Sequence, residues 1–91
     1  MSTVNSNLSN YDKSLLPKAV DFRIGIVVSD WNYDITNNLL QGALKTLSSS
    51  GVLEKNILVK HVPGSFELIF GAKKLQNKNL DAVIAIGCIV K

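Results

Sequence analysis

The sequence has little of what several common protein classes require. Its 91 residues include one cysteine, one histidine and one tryptophan. The single cysteine, Cys88, excludes an internal disulfide and fits a reducing compartment. One histidine, His61, and no cysteine pair leave no spacing typical of a metal site, so we expect no metal.

Long hydrophobic runs and clusters of one charge are also missing. No apolar run approaches the roughly 18 residues of a membrane-spanning helix, and residues 1–22 lack the continuous apolar core of a signal peptide. The net charge is +3, and the lysines are scattered without an arginine cluster. We therefore expect a cytoplasmic protein with neither nucleic acid nor membrane as a partner.

The apolar residues that are present follow a β-α-β-α-β pattern. We predict strands at 23–30, 56–62 and 80–90. We also predict a first helix that is capped by Asp34 or Thr36 and ends near residue 50, and a second helix from Ser65 to about Lys78. Gly51 should end the first helix. Short apolar strands that alternate with amphipathic helices predict a parallel sheet covered on both faces, with right-handed crossovers.

Each helix is predicted to bury one apolar stripe, and the third strand, LDAVIAIGCIV, should be the most buried segment. The residues predicted to form the stripes are Ile35, Leu39, Leu40, Ala43, Leu44 and Leu47 in the first helix, and Leu68, Ile69, Ala72 and Leu75 in the second. Residues 1–22 form a polar arm, and 23–91 read as the N-terminal part of a single domain. Because the sequence stops at Lys91 directly after that apolar strand, we expect either that the natural protein continues or that other copies complete the fold.

The conspicuous residues follow all three strands. Trp31 and Asn32 come after the first strand, the stretch 64–67 after the second, and 88–91 at the end of the third. Carboxyl ends of parallel strands meet at one edge of a sheet, where open α/β folds bind ligands. Pro63-Gly64 turns the chain sharply before an aromatic residue, a carboxylate and the unpaired amides of a first helical turn. These segments predict a binding site.

Each of these residues also has a structural explanation. Trp31 could be a packing residue, Glu67 could be a favourable charge at a helix N-terminus, and Asn32 could be an ordinary turn residue. Cys88 fits an inert, buried thiol and His61 a surface or structural role. The sequence lacks G-x-G-x-x-G, a P-loop and a nucleophile elbow. A signalling receiver would need more acidic residues than Asp30, and a flavodoxin would need glycine in the loop after the first strand.

At these same segments the sequence resembles a known family. RIGIVVSDWN, NNLLQGALKTL, VPGSFELIFGAKKL and DAVIAIGCIVK together resemble 6,7-dimethyl-8-ribityllumazine synthase, the riboflavin synthase beta-chain family of riboflavin biosynthesis. The resemblance runs from about Arg23 to Lys91. The Val-Pro-Gly-Ser-Phe-Glu stretch, preceded by an aromatic-Asn pair, is its most specific part.

The resemblance implies a flavodoxin-like three-layer α/β/α fold and a transferase. Members condense 5-amino-6-(D-ribitylamino)uracil with 3,4-dihydroxy-2-butanone 4-phosphate, without a cofactor, and assemble as homo-oligomeric pentamers or pentamer-based shells. It implies that Trp31 stacks on the substrate ring beside Asn32, and that Glu67 bonds the ribityl hydroxyls. The remaining substrate-binding residues that it implies are Ser65, Phe66, Cys88, Ile89 and Val90.

One departure from the family pattern concerns catalysis. The family's phosphate-binding segment and catalytic histidine follow the position of Lys91, so no catalytic residue is assigned here, and His61 does not fall in that loop. We expect the 91-residue chain to be inactive by itself. The alternative is a non-catalytic flavodoxin-like fragment that binds ligand or supports assembly.

Overall fold

The computed structural model describes residues 21–89, which form a parallel three-stranded sheet with two helices. The strands are β1 (Ile24–Ser29), β2 (Ile57–Val62) and β3 (Ala82–Ile86), in the order β2-β1-β3. The helices are α1 (Tyr33–Ser49) and α2 (Glu67–Gln76), with a 3₁₀ turn at Glu54–Asn56 before β2. The predicted β-α-β-α-β order and the parallel sheet are confirmed. Most of the polar arm and Val90 lie outside the described residues.

β1 is the central strand, and all six of its residues are buried. Ile24, Ile26 and Val28 pack in a core with Leu40 of α1. The alternate residues face α2: a methyl group on Gly25 would touch Leu75, and one on Gly71 would touch Val27. Burial on both faces explains why the strand is continuously apolar, and each buried Val or Ile contributes about 1.5 to 3 kcal/mol.

α1 begins differently from the prediction. Asn32, not Asp34 or Thr36, is the N-cap, and it adopts a left-handed conformation with φ 60° and ψ 50°. Its carbonyl accepts the amides of Ile35 and Thr36 at 3.0 and 3.1 Å. Thr36 is buried instead, and its hydroxyl donates to the carbonyls of Asn32 and Tyr33. Asparagine tolerates this backbone region better than most residues, so the chain can turn here directly from strand into helix.

The predicted end of α1 is confirmed. Gly51 has φ 98°, its amide donates to Ser48, and the amide of Val52 donates to the carbonyl of Leu47. These two bonds form a Schellman motif, which favours glycine at the left-handed position. Val52 is buried in the same core against which Leu47 packs, so the motif also anchors the helix end to the sheet.

The predicted helix stripes are partly wrong. Ile35 and Leu39 are about half exposed, and Ile69 is 77% exposed. The buried side of α1 is instead centred on Thr36 and Leu40, with Ala43, Leu44 and Leu47 packed beside them. Spacing alone identifies an apolar face but does not say which part of a wide face meets the sheet.

β3 is shorter and less buried than predicted. It ends at Ile86, and of its five residues only Ile86 is buried, because β3 pairs with β1 on one side and has no described strand on the other. α2 is also shorter than predicted, since Ser65 and Phe66 precede it in a turn. Within residues 21–89 no helix has the length and apolarity needed to cross a membrane.

Candidate functional site

The carboxyl ends of β1 and β2 are joined by main-chain hydrogen bonds. The amide of Asp30 donates to the carbonyl of Val62 at 2.8 Å, and the amide of Trp31 donates to that of Pro63 at 3.1 Å. The Trp31 amide also lies 3.2 Å from Ser29 Oγ. These bonds continue the ladder past the strands, so Trp31 is held beside the Pro63-Gly64 turn.

Asn32 connects the same region to the third strand. Its side-chain amide donates to the carbonyl of Cys88 at 3.5 Å, across 56 positions of sequence. Asn32 is half-buried and carries the left-handed backbone that begins α1. One predicted site residue therefore sets the helix direction and also bridges two of the predicted site segments. Cys88 itself is a free, half-buried cysteine.

The turn before α2 packs against the end of β3. A methyl group on Gly87 would lie 2.6 Å from Leu68 Cδ1 and 3.1 Å from Ser65 Oγ, so the main chain at Gly87 lies close to both side chains. Ser65 Oγ is buried and has no hydrogen-bond partner among the described atoms. An unpaired buried hydroxyl costs about 1 to 3 kcal/mol, and it leaves one donor available inside the site.

The amides at the start of α2 are less free than predicted. The amide of Glu67 donates to the carbonyl of Gly64, and that of Leu68 donates to Ser65, both at 3.2 Å. The Glu67 side chain is exposed, and its Oε1 would lie 3.3 Å from a methyl group on Gly64. The carboxylate thus folds back over the glycine turn, where it can accept hydrogen bonds from hydroxyl groups.

Large apolar side chains are exposed in each of the three strand-end segments. Trp31 is 66%, Phe66 91% and Ile89 89% exposed. A concavity of about 240 Å³ is lined by Ser65, Phe66, Ile69 and Ile89. The structure thus brings Ser65 and Phe66 together with Ile89, and Asn32 with Cys88. Trp31 does not line this concavity, and Val90 lies outside the described residues.

A hydrogen-bonded pair at the same end of the sheet was not predicted from the sequence. His61 Nδ1 lies 2.8 Å from Asp30 Oδ1, and both side chains are about half exposed. The surface role expected for His61 agrees with this position, but no partner was predicted for it. The signal was present, because His61 lies near the end of one parallel strand and Asp30 just past the end of its neighbour. Within residues 21–89 no cluster of three His, Cys, Asp or Glu side chains could hold a metal.

Comparison with known sequences gives one consistent family. The sequence model described as 6,7-dimethyl-8-ribityllumazine synthase matches residues 21–91. A curated relative of that name from Flavobacterium psychrophilum is 53% identical over the whole chain, and one from Parabacteroides distasonis is 55% identical over the whole chain. One from Bacteroides fragilis is 59% identical over 76% of the chain.

The chain spans about half the length of the curated relatives that it matches. It covers 49% of the Flavobacterium psychrophilum protein, 58% of the Parabacteroides distasonis protein and 49% of the Bacteroides fragilis protein. The part that it shares with them contains the three strand ends described above.

Proposed function

This chain belongs to the 6,7-dimethyl-8-ribityllumazine synthase family, and from that premise we propose that it supplies the pyrimidine-binding part of a lumazine synthase. The reaction proposed is the condensation of 5-amino-6-(D-ribitylamino)uracil with 3,4-dihydroxy-2-butanone 4-phosphate, a step of riboflavin biosynthesis. Imine formation, loss of phosphate and ring closure would produce 6,7-dimethyl-8-ribityllumazine without a metal or organic cofactor.

The observation that carries this proposal is the convergence of the three strand ends. Main-chain bonds join Trp31 to Pro63, and the side chain of Asn32 joins Cys88. The edge therefore presents a planar aromatic ring, a carboxylate and main-chain groups from three separate segments. This set suits a ligand with a flat heterocycle and a polyol chain.

The proposed ligand contacts are those that the family resemblance implies, and the chemistry of each group suits its contact. The exposed indole of Trp31 offers a face on which the pyrimidine ring can stack. The carboxylate of Glu67 only accepts hydrogen bonds, so ribityl hydroxyls are suitable partners. Ser65, Phe66 and the stretch 88–90 would enclose the ring, with Asn32 beside it. Much of the rate enhancement would come from holding two reactants in contact.

Assembly into a homo-oligomer, a pentamer or a pentamer-based shell, is part of the proposal. Support comes from the start of α2 and the turn before it, where Phe66, Ile69 and Phe70 are all more than 60% exposed. Apolar side chains grouped in this way are typical of surfaces that bind a partner. We further propose a cytoplasmic location, a polar arm at 1–22, and one lumazine-synthase-like α/β domain from residue 23.

A second candidate is a non-catalytic flavodoxin-like module that binds ligand or supports assembly. One observation favours it. His61 lies on the edge strand β2, and its side chain is hydrogen-bonded to that of Asp30, which follows β1. The two candidates agree on binding of the ribityl-pyrimidine and differ on turnover.

The deciding experiment combines calorimetric titration with an activity assay. The complete protein that contains this sequence is titrated with 5-amino-6-(D-ribitylamino)uracil and then supplied with the butanone phosphate. Saturable binding followed by formation of the lumazine supports the synthase, and saturable binding without product supports the second candidate. Absence of binding would refute both.

Matched variants locate the binding. Glu67→Gln keeps the shape of the side chain and removes its charge, and we expect it to weaken binding by about 1.5 to 3 kcal/mol, the range for a charged hydrogen bond. Glu54→Gln makes the same change in the 3₁₀ turn, before β2 and away from the strand ends. It should leave the affinity unchanged.

A further inference from the structure

We propose that Asp30 and His61 form a positioning pair that fixes the Trp31 indole at the edge of the sheet. The Asp30 carboxylate accepts a hydrogen bond from His61 Nδ1 at 2.8 Å. Neither residue is among the proposed ligand contacts. The benefit to ligand binding rests on the proposed function, because it requires that Trp31 stack on the ligand. The placement of the indole by the pair is independent of the proposed function.

The pair ties β1 to β2 directly before the tryptophan. In the parallel register His61 is opposite Val28, so Asp30 lies two residues beyond the partner of His61 and on the same face of the sheet. The Asp30 amide already donates to the carbonyl of Val62. Asp30 is therefore attached to β2 through both its main chain and its side chain.

The main chain of Trp31 is held by its amide bond to the carbonyl of Pro63, but packing does little to hold its ring. Its side chain is 66% exposed. On its other side, Asn32 donates to the carbonyl of Cys88 at the end of β3. Trp31 thus stands between two residues whose side chains reach the neighbouring strands in opposite directions. Removing one of these links should allow the residue, and its ring, to move.

Because both side chains of the pair are about half exposed, we expect the pair to position Trp31 without contributing much to folding stability. The side chains of His61 and Asp30 are 47% and 53% exposed, and even a charged pair with this exposure contributes little to folding stability. Asp34, in the first turn of α1, is the nearest other carboxylate in sequence. Loss of the pair should therefore disturb the local arrangement at Trp31 while the fold remains intact.

The test observes Trp31 directly in the ligand-free protein. The complete protein is labelled with 5-fluorotryptophan, and the Trp31 resonance is identified by its loss in Trp31→Phe. We expect Asp30→Ala and His61→Ala each to shift and narrow that resonance, and the double variant to change it no further than either single variant. Asp34→Ala, which removes a neighbouring carboxylate, should leave it unchanged.

An unchanged resonance in both single variants, or effects that add in the double variant, would overturn the proposal. Titration with 5-amino-6-(D-ribitylamino)uracil measures the benefit to ligand binding. Both single variants should bind this pyrimidine roughly two- to tenfold more weakly than wild type. A shifted resonance with unchanged affinity would refute the benefit to binding. A wild-type protein that binds no pyrimidine would refute the proposed function, whereas the ligand-free resonance would still decide the placement of the indole.

Discussion

Alanine in place of Gly71 should destabilise the fold, whereas alanine in place of Gly42 should stabilise it. Both glycines lie inside helices, Gly42 in α1 and Gly71 in α2. A methyl group on Gly42 would meet no heavy atom within 4 Å. A methyl group on Gly71 would lie 2.7 Å from Val27 Cγ2 and 3.1 Å from Val62 Cγ1.

The magnitudes follow from two opposing effects. Replacing glycine by alanine inside a helix stabilises it by about 0.5 to 1 kcal/mol, and this gain applies at both positions. At Gly71 the added methyl group overpacks the core at a cost of about 1 to 3 kcal/mol. Val27 is fully buried in the central strand and branched at Cβ, so it cannot rotate away freely. The difference between the two variants should be about 1 to 3 kcal/mol, with opposite signs relative to wild type.

Urea unfolding of the two variants at one protein concentration measures this difference. The midpoint should rise for Gly42→Ala and fall for Gly71→Ala, with equal slopes. Because the propensity gain is common to both, it cancels in the comparison and leaves the overpacking cost. If Gly71→Ala were as stable as Gly42→Ala, α2 would not pack on β1 as closely as described.

Three further changes test the loops and the site. Gly51→Ala should lower the free energy of unfolding by about 1 to 2 kcal/mol, because φ is 98° there, as urea unfolding would register. Ser65→Ala should raise the stability of the ligand-free protein by about 1 kcal/mol while it weakens pyrimidine binding, since the buried hydroxyl lacks a partner. Ser49→Ala, whose hydroxyl donates to the carbonyl of Thr46 in α1, is the control for binding and should leave the affinity unchanged. Trp31→Ala should weaken binding by about 1 kcal/mol, and Trp31→Phe should recover most of that loss in the same titration.

The fold was predictable because the apolar pattern has only one good solution. A strand as continuously apolar as IGIVVS must be covered on both faces, and it is the central strand of the sheet. The end of α1 was equally clear, because Gly51 follows a helical stripe and adopts the left-handed conformation that glycine favours.

The details that failed depend on tertiary geometry. Asn32 was predicted as a turn residue and a site residue, but its left-handed cap replaces the expected cap at Asp34 or Thr36. The third strand was judged by composition alone, and composition does not distinguish a central strand from an edge strand. The Asp30–His61 contact spans 31 positions, so only the register of two parallel strands reveals it.

The location of the proposed site depends on a comparison of the two ends of the strands, the amino ends and the carboxyl ends. At the amino edge, the amide of Arg23 donates to Asp81 Oδ2 at 2.7 Å, and the Asp81 amide donates back to the carbonyl of Arg23 at 2.8 Å. These reciprocal bonds satisfy the polar groups there. At the carboxyl edge, the Ser65 hydroxyl lacks a partner and Trp31 and Glu67 are exposed. The unpaired hydroxyl of Ser65 and the exposed ring of Trp31 therefore lie at the end of the sheet where the ligand is proposed to bind.

A crystal structure of the complete protein with 5-amino-6-(D-ribitylamino)uracil tests this claim most directly. Density for the pyrimidine should lie at the carboxyl ends of the strands, with its ring stacked on Trp31 and its ribityl chain against Glu67. Density at the amino ends, near Arg23 and Asp81, or at the carboxyl ends without contact to either Trp31 or Glu67, would contradict the account.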